Sequence, residues 1–182
     1  MADTINHVIL GSGVLYIADW TNGEAFPESA TIEVATNKIG NISGGAELTA
    51  KADTTNVTDD FGVSVKEFIT KEEATFKTGI LTWNLPVLNK LVVNGEVVDD
   101  ATAKTSTLFI GGRNKTGIKR YLIRFVHTFD DGKHLRVSLV GSPSGDFKFS
   151  FDAEKETIID STFSAISHDE DGTLVRIEME TV

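Results

Sequence analysis

The sequence contains no cysteine among its 182 residues, so neither a disulfide framework nor a thiolate metal site is available to it. No stretch approaches the roughly 18 consecutive apolar residues of a membrane-spanning helix, and we expect no membrane insertion. The first residues lack a positive segment followed by an apolar run, so we expect no secretion signal. The length suits one domain, residues 1–182, whose core needs no covalent staples.

Motifs of catalysis and metal binding are also missing. None of the four histidines lies at H-x-x-x-H spacing, and there is no G-x-S-x-G sequence. The glycine-rich stretch 111–117 lacks the Gly-Lys-Ser/Thr order of a phosphate-binding loop, so we predict a hairpin tip or an inter-subunit loop there. The acidic stretch 169–172 lacks the register of a calcium loop and is predicted to be a turn. We therefore predict a protein that is not an enzyme, with no catalytic residues, metal or cofactor.

Charge is unevenly distributed along the chain. The formal net charge is −10 and the pI is near 4.8, which argues against a protein that grips nucleic acid. Residues 1–100 contain 15 acidic and 6 basic residues, whereas residues 101–129 contain six basic residues and no acid. Ordinary solvated surface explains such a pattern. It also suits a subunit that meets copies of itself, basic patch to acidic patch.

Alternation of polar and apolar residues predicts strands along most of the chain. The segment 42–57 is typical of a long strand with one dry face and one wet face, and 63–70 and 73–81 continue its polar row. We predict an all-β fold of two packed antiparallel sheets, a sandwich or partial barrel. Further strands are predicted at 8–18, 107–110, 118–129, 135–140, 147–151, 158–167 and 174–179, with loops at 19–38, which includes a short strand at 31–35, and at 94–104.

One segment departs from the strand pattern. Leucines at positions 85, 88 and 91 recur at the spacing of a helix face, Asn84 is a good N-cap, and Pro86 falls in the first turn, where its missing N–H costs least. We predict one short flanking helix near residues 84–92, ended by Asn94-Gly95.

The strand predicted at 118–129 carries three of the six basic residues of the stretch 101–129. Tyr121, Ile123 and Phe125 alternate with Arg120, Leu122 and Arg124. We therefore expect a core face and a mainly charged outer face on this strand.

Several segments, taken in order, resemble one protein family. The chain is similar to the tail tube (major tail) proteins of long, non-contractile-tailed bacteriophages, the siphoviruses, over most of residues 8–180. The resemblance lies in the order of the segments and in their pattern of strand and turn residues. The segments that carry it are Ile39–Ala50, Asp59–Gly62, Lys71–Leu85, Phe125–His127, Asp131–Lys133, Gly145–Phe151, Phe163–Ile166 and Asp171–Gly172.

The resemblance implies a structural virion protein. Family members form hexameric rings in which part of each subunit's sheet joins an inner β-barrel, and the rings stack into a tube. Double-stranded DNA passes through this tube during infection without specific binding. The implied partners are copies of this chain and the tape measure, tail terminator and tail-tip proteins. The implied location is the tail tube of the virion, after synthesis in the cytoplasm of the bacterial host.

Two groups of residues take roles under this resemblance. The polar rows are expected to line an acidic channel, because a conduit for DNA should repel phosphates. The basic stretch is expected to touch an acidic surface of the next subunit or ring. The expected lumen-facing residues are Glu47, Thr49, Lys51, Asp53, Glu73 and Lys77, and the expected contact residues are Arg113, Lys115, Lys119 and Arg120.

Two other hypotheses stay open at this point. The first is the inner tube of a contractile tail or of a type VI secretion system, which shares the fold. The second is an extracellular β-sandwich that binds a ligand, for which an exposed aromatic row or a calcium site would argue; the sequence has only two tryptophans.

Overall fold

The computed structural model describes residues 13–81, 84–112, 118–145, 147–148 and 156–181. The strands are β1 (Val14–Asp19), β2 (Ile42–Thr58), β3 (Ser64–Ile80), β4 (Gly95–Asp100), β5 (Thr105–Ile110), β6 (Tyr121–Thr128), β7 (His134–Ser144), β8 (Ile159–Ala165) and β9 (Val175–Met179). The helices are α1 (Ser29–Ile32) and α2 (Leu85–Leu91), and a 3₁₀ turn covers Ala35–Asn37.

Seven of these strands form one antiparallel sheet in the order β1-β6-β7-β8-β3-β2, with β9 paired to β7. The other two, β4 and β5, form a two-stranded sheet. The predicted all-β fold with two antiparallel sheets is confirmed, as is the helix near residues 84–92. The two sheets differ in size and in what they pack against. The larger one curls around its own core, and the smaller one packs on α2.

Strand β7 organises the large sheet because two strands share one of its edges. Residues Leu135–Leu139 pair with β9, and Gly141–Ser144 pair with β8. At the change of partner, a Cβ on Gly141 would lie 2.3 Å from the carbonyl oxygen of Ser164. Glycine is therefore required at this position by the close approach of two backbones.

The main core lies inside the curl of the large sheet, and α2 packs against it. Leu88 and Leu91 of α2 are buried there, as their spacing predicted. The Asn84 side chain accepts a hydrogen bond from the Val87 N–H at 2.9 Å, which is the predicted N-cap. The buried members of this core are Leu15, Ile17, Ile39, Phe76, Ile80, Leu88, Leu91, Tyr121, Ile123, Leu139, Ile159 and Phe163.

The opposite face of β6 and β7 is covered by residues 20–38, which we call the strap. Ile32 of the strap packs with Leu122 and Val140 in a second buried cluster. The short strand expected at 31–35 is wrong, since α1 and the 3₁₀ turn cover that segment. The strap lies across a sheet face, so its backbone bonds locally, for example from Glu33 N–H to the Ser29 carbonyl at 2.8 Å.

The expected charged outer face of β6 is also wrong, because the strap buries it. The Arg124 side chain is only 1% exposed. Its Nε donates to Ser138 Oγ at 2.9 Å, and its Nη1 lies 3.3 Å from Glu33 Oε1 on the strap. Arg136 of β7 donates to the same Glu33 oxygen at 2.6 Å. Burial lowers the pKa of Arg124, whereas the hydrogen bond to Glu33 raises that of Arg136.

Three further boundaries differ from the expected ones. The loop expected at 94–104 contains β4, which pairs with β5 in register from Gly95 to Asp100. The two strands expected at 63–70 and 73–81 are one continuous strand, β3. Residues 8–12 of the first expected strand and 149–151 of another lie outside the described residues, and 147–148 are not in a strand.

The strap is held by Glu33, so removing this carboxylate should destabilise the fold. Glu33→Ala leaves Arg124 buried without its closest acid, and we expect the free energy of unfolding to fall by about 3 kcal/mol. Urea denaturation measures this loss. Glu28→Ala is the matched control, because Glu28 is an exposed acid of the same strap. Equal stability of the two variants would contradict the role given to Glu33.

A second ion pair makes stability depend on pH. The hydrogen bond from Arg136 lowers the pKa of Glu180, whose other oxygen accepts the His134 N–H at 3.0 Å. A carboxylate with a lowered folded-state pKa stabilises the protein above its unfolded pKa of about 4.3 and loses that effect as pH falls through the folded value. Glu180→Gln should therefore be less stable than the wild type at pH 7, and the difference should vanish in acid. Denaturation as a function of pH measures this, and a difference in stability that persists unchanged in acid would contradict the role given to Glu180.

Candidate functional site

Strands β2 and β3 form a hairpin much larger than the rest of the fold requires. Each strand has 17 residues, about three times the usual strand length. Register shifts at Gly44-Gly45 in β2 and near Thr70 in β3 mark β-bulges. A turn at residues 59–62 joins the strands.

Only the base of the hairpin is attached to the large sheet. β3 pairs with β8 from Thr75 to Ile80, whereas residues 64–74 of β3 pair with β2 alone. Eleven residues of strand extend by about 36 Å. Among the described strands, none pairs with the other edge of β2. The hairpin therefore projects from the sheet with two long edges of unpaired backbone.

The predicted polar residues lie together on one face of this hairpin. The register places Glu47 opposite Lys77, and Lys51 opposite Glu73. Thr49 and Asp53 belong to the same alternating row, and all of these side chains are exposed or half-buried. The structure thus brings Glu47, Thr49, Lys51, Asp53, Glu73 and Lys77 into one continuous surface, which we call the charged face.

Lys71, which the sequence interpretation missed, completes the charged face. It lies opposite Asp53 and forms an ion pair with Glu73, which raises its pKa. Lys51 forms a second pair with Asp53 at 2.7 Å. Three lysines and three acids therefore neutralise one another. The charged face therefore has no net charge, and the net charge of −10 comes from other residues of the chain. The charged face by itself does not form an acidic surface.

The other face of the hairpin is apolar but is buried only near the base. Ala74 and Phe76 are buried, and Leu48 packs against the core. Ala50 and Ala52, which alternate with the charged row along β2, are exposed and border a cleft of about 470 Å³ beside residues 171–175. The apolar face is no longer buried there because β8 pairs with β3 only from Thr75 to Ile80.

The far half of the hairpin, residues 54–69, exposes apolar side chains. Thr70 Oγ1 donates to the Asp53 carbonyl at 3.0 Å, beside the register shift that separates this half from the charged face. The side chains are 44% to 91% exposed, which is unusual for so many neighbouring large apolar groups. The exposed residues between positions 57 and 69 are Val57, Phe61, Val63, Val65, Phe68 and Ile69.

Two of the four predicted contact residues fall among the described residues. Lys119 and Arg120 precede β6, and both are exposed. Lys119 Nζ donates to the Gly95 carbonyl at 3.3 Å, and Arg120 Nη1 donates to Asn22 Oδ1 at 2.6 Å. Both line an open groove of about 810 Å³. Arg113 and Lys115 lie outside the described residues.

Other chemistry is sparse in the part of the chain that the structure describes. No group of three or more His, Asp or Glu side chains there is placed to hold a metal ion. No helix among those residues is long and apolar enough to cross a bilayer. The stretch 169–172 is a turn, as predicted, in which Asp169 Oδ1 accepts the Thr173 N–H at 2.7 Å.

Comparisons with known proteins add one structural likeness. No protein-family model matches the sequence, and no curated protein matches it. One solved structure that matches is described as "Cryo-EM structure of the anti-feeding prophage cap (AFP tube terminating cap)". The sequences are 13% identical, the TM-score is 0.46, and the alignment covers 99% of this chain and 100% of the other. A likeness at this score assigns no role to the present chain.

An isolated two-stranded ribbon is only marginally stable, so the far half of the hairpin should open easily in the monomer. We expect amide hydrogens of residues 54–69 to exchange much faster than those of β6, which is paired on both edges. Hydrogen exchange read by mass spectrometry measures the two rates in dilute protein. Equal protection of both segments would contradict this expectation.

Proposed function

We propose that this chain is a non-catalytic structural subunit that assembles into the tail tube of a long, non-contractile-tailed bacteriophage. Copies form hexameric rings, the rings stack, and the β2–β3 hairpins wall the channel through which the genome passes. The observation that carries the proposal is the projecting hairpin, with its unpaired edges and its two unlike faces. The sixfold ring comes from the family resemblance.

The unpaired edges support assembly by strand addition. The outer edge of β2 and residues 64–74 of β3 have backbone donors and acceptors that an antiparallel or parallel partner strand would satisfy. The two edges are different surfaces of one chain, so pairing between copies is head-to-tail. A head-to-tail contact closes into a ring when its rotation divides a full turn. The hairpins then form a barrel without free edges.

The unlike faces support a channel wall. The charged face, with Glu47 paired to Lys77 and Lys51 to Glu73, suits contact with water. The opposite face near the base is already buried against the subunit. Because the row carries no net charge, it offers phosphates no basic surface to bind, which suits DNA passage without specific binding.

Electron microscopy of concentrated purified protein tests the proposal. We expect rings or hollow tubes, together with protection of residues 54–69 from hydrogen exchange in the assembled form. Protein that stays monomeric under all conditions, with the far half of the hairpin still open, would contradict it.

A single charge on the far half of the hairpin should separate folding from assembly. Ile69 is 63% exposed, so Ile69→Asp should leave the monomer folded but place a charge in the contact between copies. We expect normal thermal unfolding and the loss of rings and tubes in sedimentation and microscopy. The matched control is Val98→Asp, an exposed valine of β4, which should assemble normally. The opposite result, in which only the Val98 variant fails to assemble, would move the interface to the β4–β5 ribbon.

A further inference from the structure

The tip of the hairpin displays one exposed aromatic side chain, that of Phe61. Asp59 Oδ1 accepts the N–H groups of Phe61 at 3.0 Å and Val63 at 2.8 Å, and the Asp59 N–H donates to the Val63 carbonyl at 2.9 Å. Gly62 takes a φ of 77°, which completes the turn. The Phe61 side chain is 91% exposed, and the Asp60 carboxylate is its neighbour. The tip is therefore an acidic and apolar knob whose turn is closed by its own hydrogen bonds.

A groove elsewhere on the chain has the complementary character. Trp20 and Ile118 give it apolar walls, and Ile118 is 62% exposed. Lys119 and Arg120 add two positive charges against the single carboxylate of Asp19. The volume of about 810 Å³ is ample for a phenylalanine side chain and the turn that carries it. The Trp20 N–H donates to the Arg120 carbonyl at 3.0 Å, which ties the two walls together.

These two surfaces cannot meet within one chain. Ser142, which lines the groove, pairs with Ser164, and Ser164 pairs with Thr75 of β3. The groove therefore lies level with the point where β3 leaves the sheet. The tip lies about 36 Å further along the strand direction. Any contact between knob and groove joins two copies.

We propose that Phe61 of one copy inserts into the Trp20 groove of another copy, with the Asp60 carboxylate next to Lys119 and Arg120. This inference rests on the proposed self-assembly and names one of its contacts. A buried aromatic anchor flanked by charge-assisted hydrogen bonds is the usual composition of an energetic hot spot. Because knob and groove are different patches, the contact is head-to-tail and repeats from copy to copy.

The absence of cysteine allows a direct test by disulfide trapping. Asp60→Cys and Lys119→Cys are prepared as separate proteins, mixed under assembly conditions and oxidised. We expect the mixed disulfide to exceed that of a control pair, Thr102→Cys with Lys119→Cys, by roughly tenfold or more, because docking raises the effective concentration of the two thiols. Thr102 lies at the exposed tip of the β4–β5 ribbon and is matched in accessibility.

Charge reversal gives an independent measurement. Asp60→Arg and Arg120→Glu should each raise the concentration needed for assembly by roughly tenfold, and the double variant should recover most of that loss. Normal tubes without excess trapping, and with both single reversals assembling like the wild type, would overturn the knob-and-groove contact and leave the proposed tube intact. Failure of the wild type itself to assemble would overturn both.

Discussion

The fold depends on the double pairing of β8. This seven-residue strand pairs with β7 on one edge and with β3 on the other, and it is the only described strand that connects the hairpin to the rest of the large sheet. Residues 162–164 of β8 pair with both β7 and β3. The pairing with β8 attaches β3 to the sheet at just six of its 17 positions. The length of β8 therefore decides where the hairpin stops being part of a closed core and becomes a projection.

The second organising feature is the strap, which gives the central strands two dry faces. β6 is buried on both sides, with Tyr121 and Ile123 toward the main core and Leu122 toward the strap. Arg124 can lie in such a place because Ser138, Ser29 and Glu33 accept hydrogen bonds from its guanidinium. Phe26 of the strap stacks on the same arginine, 5.5 Å from ring centre to guanidinium carbon. The central strands are thus packed on both faces, whereas residues 54–69 of the hairpin expose their apolar side chains.

Period-two counting along the sequence was sufficient for the hairpin and insufficient for β6, for a physical reason. Alternation along the sequence shows which side chains share a face of a strand. In an exposed ribbon such as Glu47–Asp53, this alternation alone determines which side chains form the charged row. It does not reveal what covers a face, so the burial of Arg124 depended on a strap that has no periodicity. β4 was missed because Glu96, Asp99 and Asp100 mask its alternation, and it forms because β5 pairs with it. Lys71 lay beside a bulge, where the count shifts.

The charged face also behaves in a particular way toward its solvent. Opposite charges such as Lys51 and Asp53 lie 2.7 Å apart, much closer than the Debye length of ~8 Å at physiological salt. Their fields cancel within a short distance of the surface, while the groups themselves stay exposed to solvent. The surface is in effect zwitterionic, like the coatings that resist adsorption of macromolecules. A polyion moving past it would meet a solvent-exposed surface with a weak net electrostatic field, and ionic strength would change the strength of that interaction very little.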